Sequence, residues 1–191
     1  MKNKLSVLAI SVLLVFSACQ KQETEMDLHQ EPSNANAAQN ELKSAAAGKQ
    51  AVLNFRAHLS GDQEVPPVET RATGQAIFQL SRDGTELSYR LIVANIENVR
   101  MAHIHLAPEG QNGPVAVWLY PEGPPPQLIE GRFSGVLATG VITADDLVGP
   151  LEDAELSDLV ELMADGQTYV NVHTSQFGAG EVRGQIFGNV R

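Results

Sequence analysis

The chain has 191 residues, 43% of them apolar (AVILMFWYC) and 19% charged, a composition that suits one globular domain with extensions. Thirteen Lys and Arg stand against 23 Asp and Glu, and a formal charge of −10 repels a phosphate backbone, so nucleic acid is not an expected partner. A single cysteine excludes an intrachain disulfide and leaves no Cys pair to begin a zinc ribbon or a thioredoxin-type site.

The chain opens with Met1-Lys-Asn-Lys4, continues with an apolar run over residues 5–16, and then gives Ser17-Ala18-Cys19 before the polar Gln20-Lys-Gln-Glu23. Residues 1–18 therefore read as a secretory signal peptide. The apolar run is shorter than the roughly 20 residues that a membrane-spanning helix needs. Small residues at 17 and 18 before Cys19 resemble the bacterial lipobox, whose cysteine is lipidated and becomes the first mature residue; the other reading is an ordinary signal cleaved after Ala18. Residue 20 is Gln and not Asp, so the inner-membrane retention signal of some lipoproteins is missing. The resemblance thus implies a bacterial envelope protein at the outer membrane or cell surface, with the membrane as partner through lipid on Cys19. Residues 19–50 are rich in Gln, Asn, Ala, Glu, Lys and Ser, without an aromatic, and read as a tether. All five lysines lie at or before position 49, and this composition shift opens the domain over residues 51–191.

Within the domain, residues 52–59 approximate a period-2 pattern and read as a strand. Residues 75–80 and 86–93 flank Asp83-Gly84, a strong hairpin signal. Further strands are expected over 99–106, 115–120, 129–137, 168–173 and 182–187, about eight in all. Short strands separated by Gly- and Pro-rich turns predict an all-β antiparallel sandwich or barrel. One stretch differs: Thr143 precedes Ala144-Asp145-Asp146-Leu147 as an N-cap, and residues 152–165 place Leu156, Leu159, Val160, Leu162 and Met163 at helical spacing before Gly166. A short helical insertion covering a sheet edge is expected there. Asp145-Asp146 and Glu152-Asp153 are then helix-start carboxylates and not a calcium or acid/base site. Pro66-Pro67 and the Pro-rich stretch 121–126 are expected to be spacer loops.

His103 and His105 stand at i and i+2 of a strand, on one face and about 6.6 Å apart, so their imidazoles can converge on one ion, as two ligands of a copper or zinc site must. On residues 169–173, Tyr169, Asn171 and His173 share one face, so His173 is a third ligand if the fold brings it near. His58 is a fourth only if its side chain points the same way. The alternative is that the three histidines bond to Glu64, Asn171 or backbone as polar pegs. Glu64, placed by Val65-Pro66-Pro67, is expected to fasten the first loop. Trp118 and Tyr120 lie on one face of a strand and are expected in the core, against a sugar-stacking role.

Leu59-Ser-Gly-Asp-Gln-Glu-Val-Pro-Pro67, Ala102-His-Ile-His105, Tyr169-Val-Asn-Val-His-Thr174 and Gly180-Glu-Val-Arg-Gly-Gln-Ile186 together resemble the CHRD domain, named for chordin and also found singly in bacterial secreted proteins. The resemblance covers about residues 52–188. It implies a non-enzymatic extracytoplasmic binding module whose partner is an envelope or extracellular protein. More distantly, the order of a His-X-His strand, a Val-His strand and a closing Gly-x-x-Arg-Gly-x-Ile-like strand is similar to Cu/Zn superoxide dismutase, which implies a Greek-key sandwich. Carried over, His103, His105 and His173 match copper ligands, and Arg183 falls near an arginine that guides the anionic substrate or stands behind the ligands. Residues 107–132 contain no histidine for a bridge or zinc site, so the zinc half of a dismutase centre is not expected. The second expectation is accordingly a three-histidine copper site, with zinc as the next candidate, in a copper carrier or an enzyme of weak superoxide-dismutase-like redox activity.

Overall fold

The computed structural model describes residues 54–188. The signal, the lipidation candidate Cys19 and the tether lie outside the described residues. The described chain forms β1 (Asn54–Ser60), β2 (Thr73–Leu80), β3 (Leu87–Leu106), β4 (Val115–Tyr120), β5 (Ile129–Ile142), β6 (Thr168–Thr174), β7 (Val182–Gln185), β8 (Phe187–Gly188), one α-helix, α1 (Leu156–Ala164), and short 3-10 turns at Gly61–Gln63, Ala144–Asp146 and Gly149–Leu151. It is mostly β, as expected, and its pairings are antiparallel.

The count of eight strands is reached by a different division of the chain. The expected strands over 86–93 and 99–106 are one 20-residue strand, β3, and the last expected strand divides into β7 and β8. The break sensed in the sequence is real as a bend: Asn95 and Asn98 take φ of 57° and 55°, beside register shifts against β5. Asparagine tolerates this left-handed conformation better than other non-glycine residues, so the strand is bulged and re-aimed without being interrupted. The first half of β3 pairs with β2 and β5, and the second half with β6 and β4. Because β2 pairs with β1, β1 with β7 and β7 with β6, the circuit β3–β2–β1–β7–β6–β3 closes like a barrel.

Period-2 patterning fills this closed sheet. Phe55, Ala57 and Leu59 of β1, Ala76 and Phe78 of β2, and Leu87, Leu91 and Val93 of β3 are buried, with exposed residues between them. After the bend, Ile96, Val99, Ala102 and Ile104 continue the core with Val170, Val172 and Val182. α1 adds Leu156, Leu159 and Met163, so its apolar stripe covers the core as expected. The helix starts later than predicted. Glu155 is its N-cap, and the Glu155 N–H donates to Asp158 Oδ2 at 3.0 Å, whereas Glu152 and Asp153 precede it and Asp153 has φ 65°. The cap expected at Thr143 does form, since its N–H and hydroxyl both donate to Asp146 Oδ2 at 2.8 Å.

β6 and β7 break the alternation, because every residue in both is buried. One face of these strands meets the core, so their other face is covered too, by segments 61–72, 107–114 and 175–181. Asn112 Nδ2 donates to the Val65 carbonyl at 2.8 Å, joining the first two covers. The Thr70 hydroxyl donates to Glu181 Oε1 at 2.7 Å, joining the first and third.

Candidate metal centre

The strand register decides which polar side chains meet on the covered face. His103 lies opposite Asn171, which lies opposite Arg183; His105 lies opposite Tyr169, which lies opposite Gln185; Met101 lies opposite His173. Directly paired residues project to the same side of a sheet, so His-X-His on β3 and the Tyr169, Asn171, His173 face of β6 form one polar patch. The three histidines named from the sequence do converge. One ligand nitrogen from each lies within 4.8 Å of the others, and all three residues are buried.

The hydrogen bonds fix how the rings present themselves. His105 Nδ1 lies 2.9 Å from the Gly113 carbonyl, and His173 Nδ1 lies 3.0 Å from the Gly178 carbonyl. A carbonyl can only accept, so both Nδ1 atoms carry the proton and both Nε2 atoms keep a lone pair. His173 Nε2, which carries no proton, accepts from His103 Nδ1 at 3.2 Å, and an ion held by both rings would replace that bond. The polar-peg reading is thus realised in part, through Gly113 and Gly178, with Asn171 close enough to His105 to act on its titration, but His103 Nε2 and His105 Nε2 are buried with no partner at hydrogen-bond distance among the described residues. Buried polar atoms are rarely left so, and a metal ion is one group that would engage such lone pairs.

Electrostatics favour the ligand form. Burial, reinforced by His173 and His105, lowers the pKa of His103 to about 3, and burial lowers that of His173 to about 4 against the bond to Gly178. Burial also lowers that of His105. Near pH 7 all three imidazoles are neutral, as coordination requires. The rings touch in sequence: His103 meets His105 and His173 edge-on at centroid distances of 5.5 and 5.1 Å, and Trp118 meets His103 at 4.3 Å.

Behind the histidines lies a second tier. The Tyr169 ring stacks on His105 at 4.9 Å and 8°, and the Arg183 guanidinium sits 3.4 Å above Tyr169. Arg183 is 1% exposed, and its donors go to Asn112 Oδ1 and to the Pro108 and Gln111 carbonyls. That placement suits a residue standing behind the ligands better than one that meets an anion from solvent. Glu64, also buried, has its carboxyl pushed up to about 7 by burial, against the pull of Arg183. Glu64 reaches this interior because Gly61 lets the 61–68 turn close: a Cβ there would overlap the Val68 carbonyl oxygen. Gly180, with φ 133°, leaves room for the Glu64 carboxyl, which a side chain there would overlap.

Two expectations change. His58 is exposed on β1 and is not one of the converging ligands. Trp118 and Tyr120 are half-buried and oppose His103 and Ala102 across a register shift, so Tyr120 packs at the core margin while Trp118 borders the histidines. The Gly113 and Gly178 carbonyls were not foreseeable, because backbone acceptors carry no residue signature.

A family model described as the CHRD domain matches residues 55–186. The chain belongs to the CHRD family. Its motifs account for the geometry: the first supplies Gly61 and Glu64, the second the His pair, the third Tyr169 to Thr174 and the last Gly180 and Arg183. No curated protein and no solved structure matches the chain.

Proposed function

We propose that this chain is an extracytoplasmic CHRD binding module, held at the bacterial envelope by lipid on Cys19, and that its domain binds one transition-metal ion through His103, His105 and His173. The observation that carries the metal reading is the convergence of three buried neutral imidazoles, two of them with unpartnered Nε2 atoms. Three neutral nitrogen donors suit copper, and zinc is the next candidate. The order of the histidine strands, similar to that of Cu/Zn superoxide dismutase with its Greek-key sandwich, supports copper by resemblance. The reading assigns no reaction. The charge of −10 gives no global steering of an anion, and residues 107–132 supply no histidine for a second ion. An envelope or extracellular protein remains the proposed macromolecular partner.

Titration of the purified chain with Cu(II) tests the metal reading. One equivalent should bind and quench the fluorescence of Trp118, the only tryptophan, and binding should be lost in His103→Ala and His173→Ala. Stoichiometric binding that survives both substitutions, or no binding near neutral pH, overturns it. The anchor is tested separately: Cys19→Ser should release the protein from the membrane fraction, and continued partitioning with membrane places the anchor elsewhere.

A further inference from the structure

His105 is oriented by parts of the chain distant in sequence. Its Nδ1 donates to Gly113 O, and its ring is stacked on Tyr169, whose hydroxyl accepts from the Gly113 N–H at 3.3 Å. Gly113 therefore touches the ligand and the ring beneath it at once. No helix or strand contains Gly113, and segment 107–114 is held from outside itself. Arg183 of β7 donates to Pro108 O at 3.3 Å, Gln111 O at 2.8 Å and Asn112 Oδ1 at 3.2 Å, and Gln185 Nε2 donates to Ala107 O at 2.9 Å. The guanidinium also lies 3.4 Å from the centre of the Tyr169 ring, which itself stacks on His105. A planar fork with several fixed donors can do both at once, and a lysine ammonium cannot.

We propose that Arg183 is a positioning residue for the metal centre: by pinning segment 107–114 and seating Tyr169, it holds the Gly113 carbonyl and the His105 ring so that His105 Nε2 faces the ion. This rests on the metal reading only for its purpose, since the orientation of His105 exists without an ion. Outer-shell partners that fix the tautomer and ring plane of a ligating histidine typically change metal affinity 10- to 100-fold.

The experiment compares the full chain with Arg183→Gln, Arg183→Lys and Asn112→Ala. Asn112 is exposed, so its truncation removes one bond from Arg183 and one to Val65 O with little risk to folding. In the metal-free protein, nitrogen-15 spectra should show His105 as a pure Nδ1–H tautomer in the parent and as a mixture in the Arg183 variants. Competition against a copper chelator should show Cu(II) affinity about 10- to 100-fold weaker in Arg183→Gln, recovered only in part by Arg183→Lys, and several-fold weaker in Asn112→Ala. The copper spin-resonance parallel g value should shift in the same order, whereas a merely structural residue would alter the denaturation midpoint alone. Folded variants that keep the parental tautomer and affinity overturn the proposal. If Arg183→Gln does not fold, Asn112→Ala decides by the same readouts. A parent that binds no copper yet shows the tautomer change rejects the metal reading and retains the positioning of His105.

Discussion

The two faces of β3, β6 and β7 are built from alternate residues of the same strands but are held by different physics. On the inner face, Ala102, Ile104, Val170, Val172 and Val182 bury apolar surface, which is non-directional and roughly proportional to area. On the covered outer face, His103, His105, Asn171 and Arg183, with Glu64 of the covering segment, depend on individual bonds, and several atoms there have no partner among the described residues. The inner face should therefore govern whether the chain folds, and the outer face what it binds.

The largest effect expected from breaking this division is in the core. Ile104→Ala, between the two ligands of β3 but facing inward at 0% exposure, should cost about 2–5 kcal/mol in denaturant unfolding. His173→Ala should cost less in the metal-free protein. A loss from His173→Ala equal to that of Ile104→Ala would mean that the polar patch is also a structural core. Metal sharpens the contrast: at 100 times its Kd an ion binding only the native state adds about 2.7 kcal/mol. The resulting rise in Tm should be present in the parent and absent in His173→Ala, by thermal scans with and without copper.

A smaller effect is the pH dependence of the metal-free protein. His103 and His173 have folded values of about 3 and about 4, below the ordinary 6.5, so their stabilising contribution is present above pH 6.5 and is lost as pH falls toward those values. Glu64 has the opposite sign. With a folded value near 7 against 4.5, its contribution is full below pH 4.5 and is lost as pH rises through 7. Glu64→Gln should gain stability relative to the parent as pH rises from 4.5 to 8, read from denaturation midpoints across that range; a constant difference would mean that Glu64 does not titrate in the fold. The smallest effect belongs to neither face. Glu97 and Arg132 form an exposed pair at 3.3 Å, and Glu97→Gln should shift stability by no more than about 0.5 kcal/mol.

Much of this division was legible in the sequence. Alternation in β1, β2 and the first half of β3 revealed the strands, and His103, His105 and His173 could be named because i, i+2 spacing places side chains on one face. The fusion of two expected strands into β3 was not legible, since Asn95 and Asn98 look like a turn unless the pairing across β5 is known. The completely buried β6 also has no alternation of exposure from which to infer what covers it. Arg183 was placed near the site only by its motif. Its bonds to Pro108, Gln111 and Asn112 depend on a loop about 70 residues away, which local pattern does not reach.

The closed strand circuit sets an order of events for the chain. Ser60 of β1 pairs with Arg183 of β7, so the circuit cannot close until nearly the last described residue is in place. Until then β1 and β6 each present an unpaired edge, the kind of surface that recruits other strands. Contacts so distant in sequence also slow folding, because the loop between them must be closed first. A chain ending at residue 181 should consequently aggregate or be degraded although it retains all three histidines, and recovery of a soluble, copper-binding product from that truncation would show that closure is dispensable. β7 thus acts as a checkpoint, linking its own arrival in the sheet to assembly of the site.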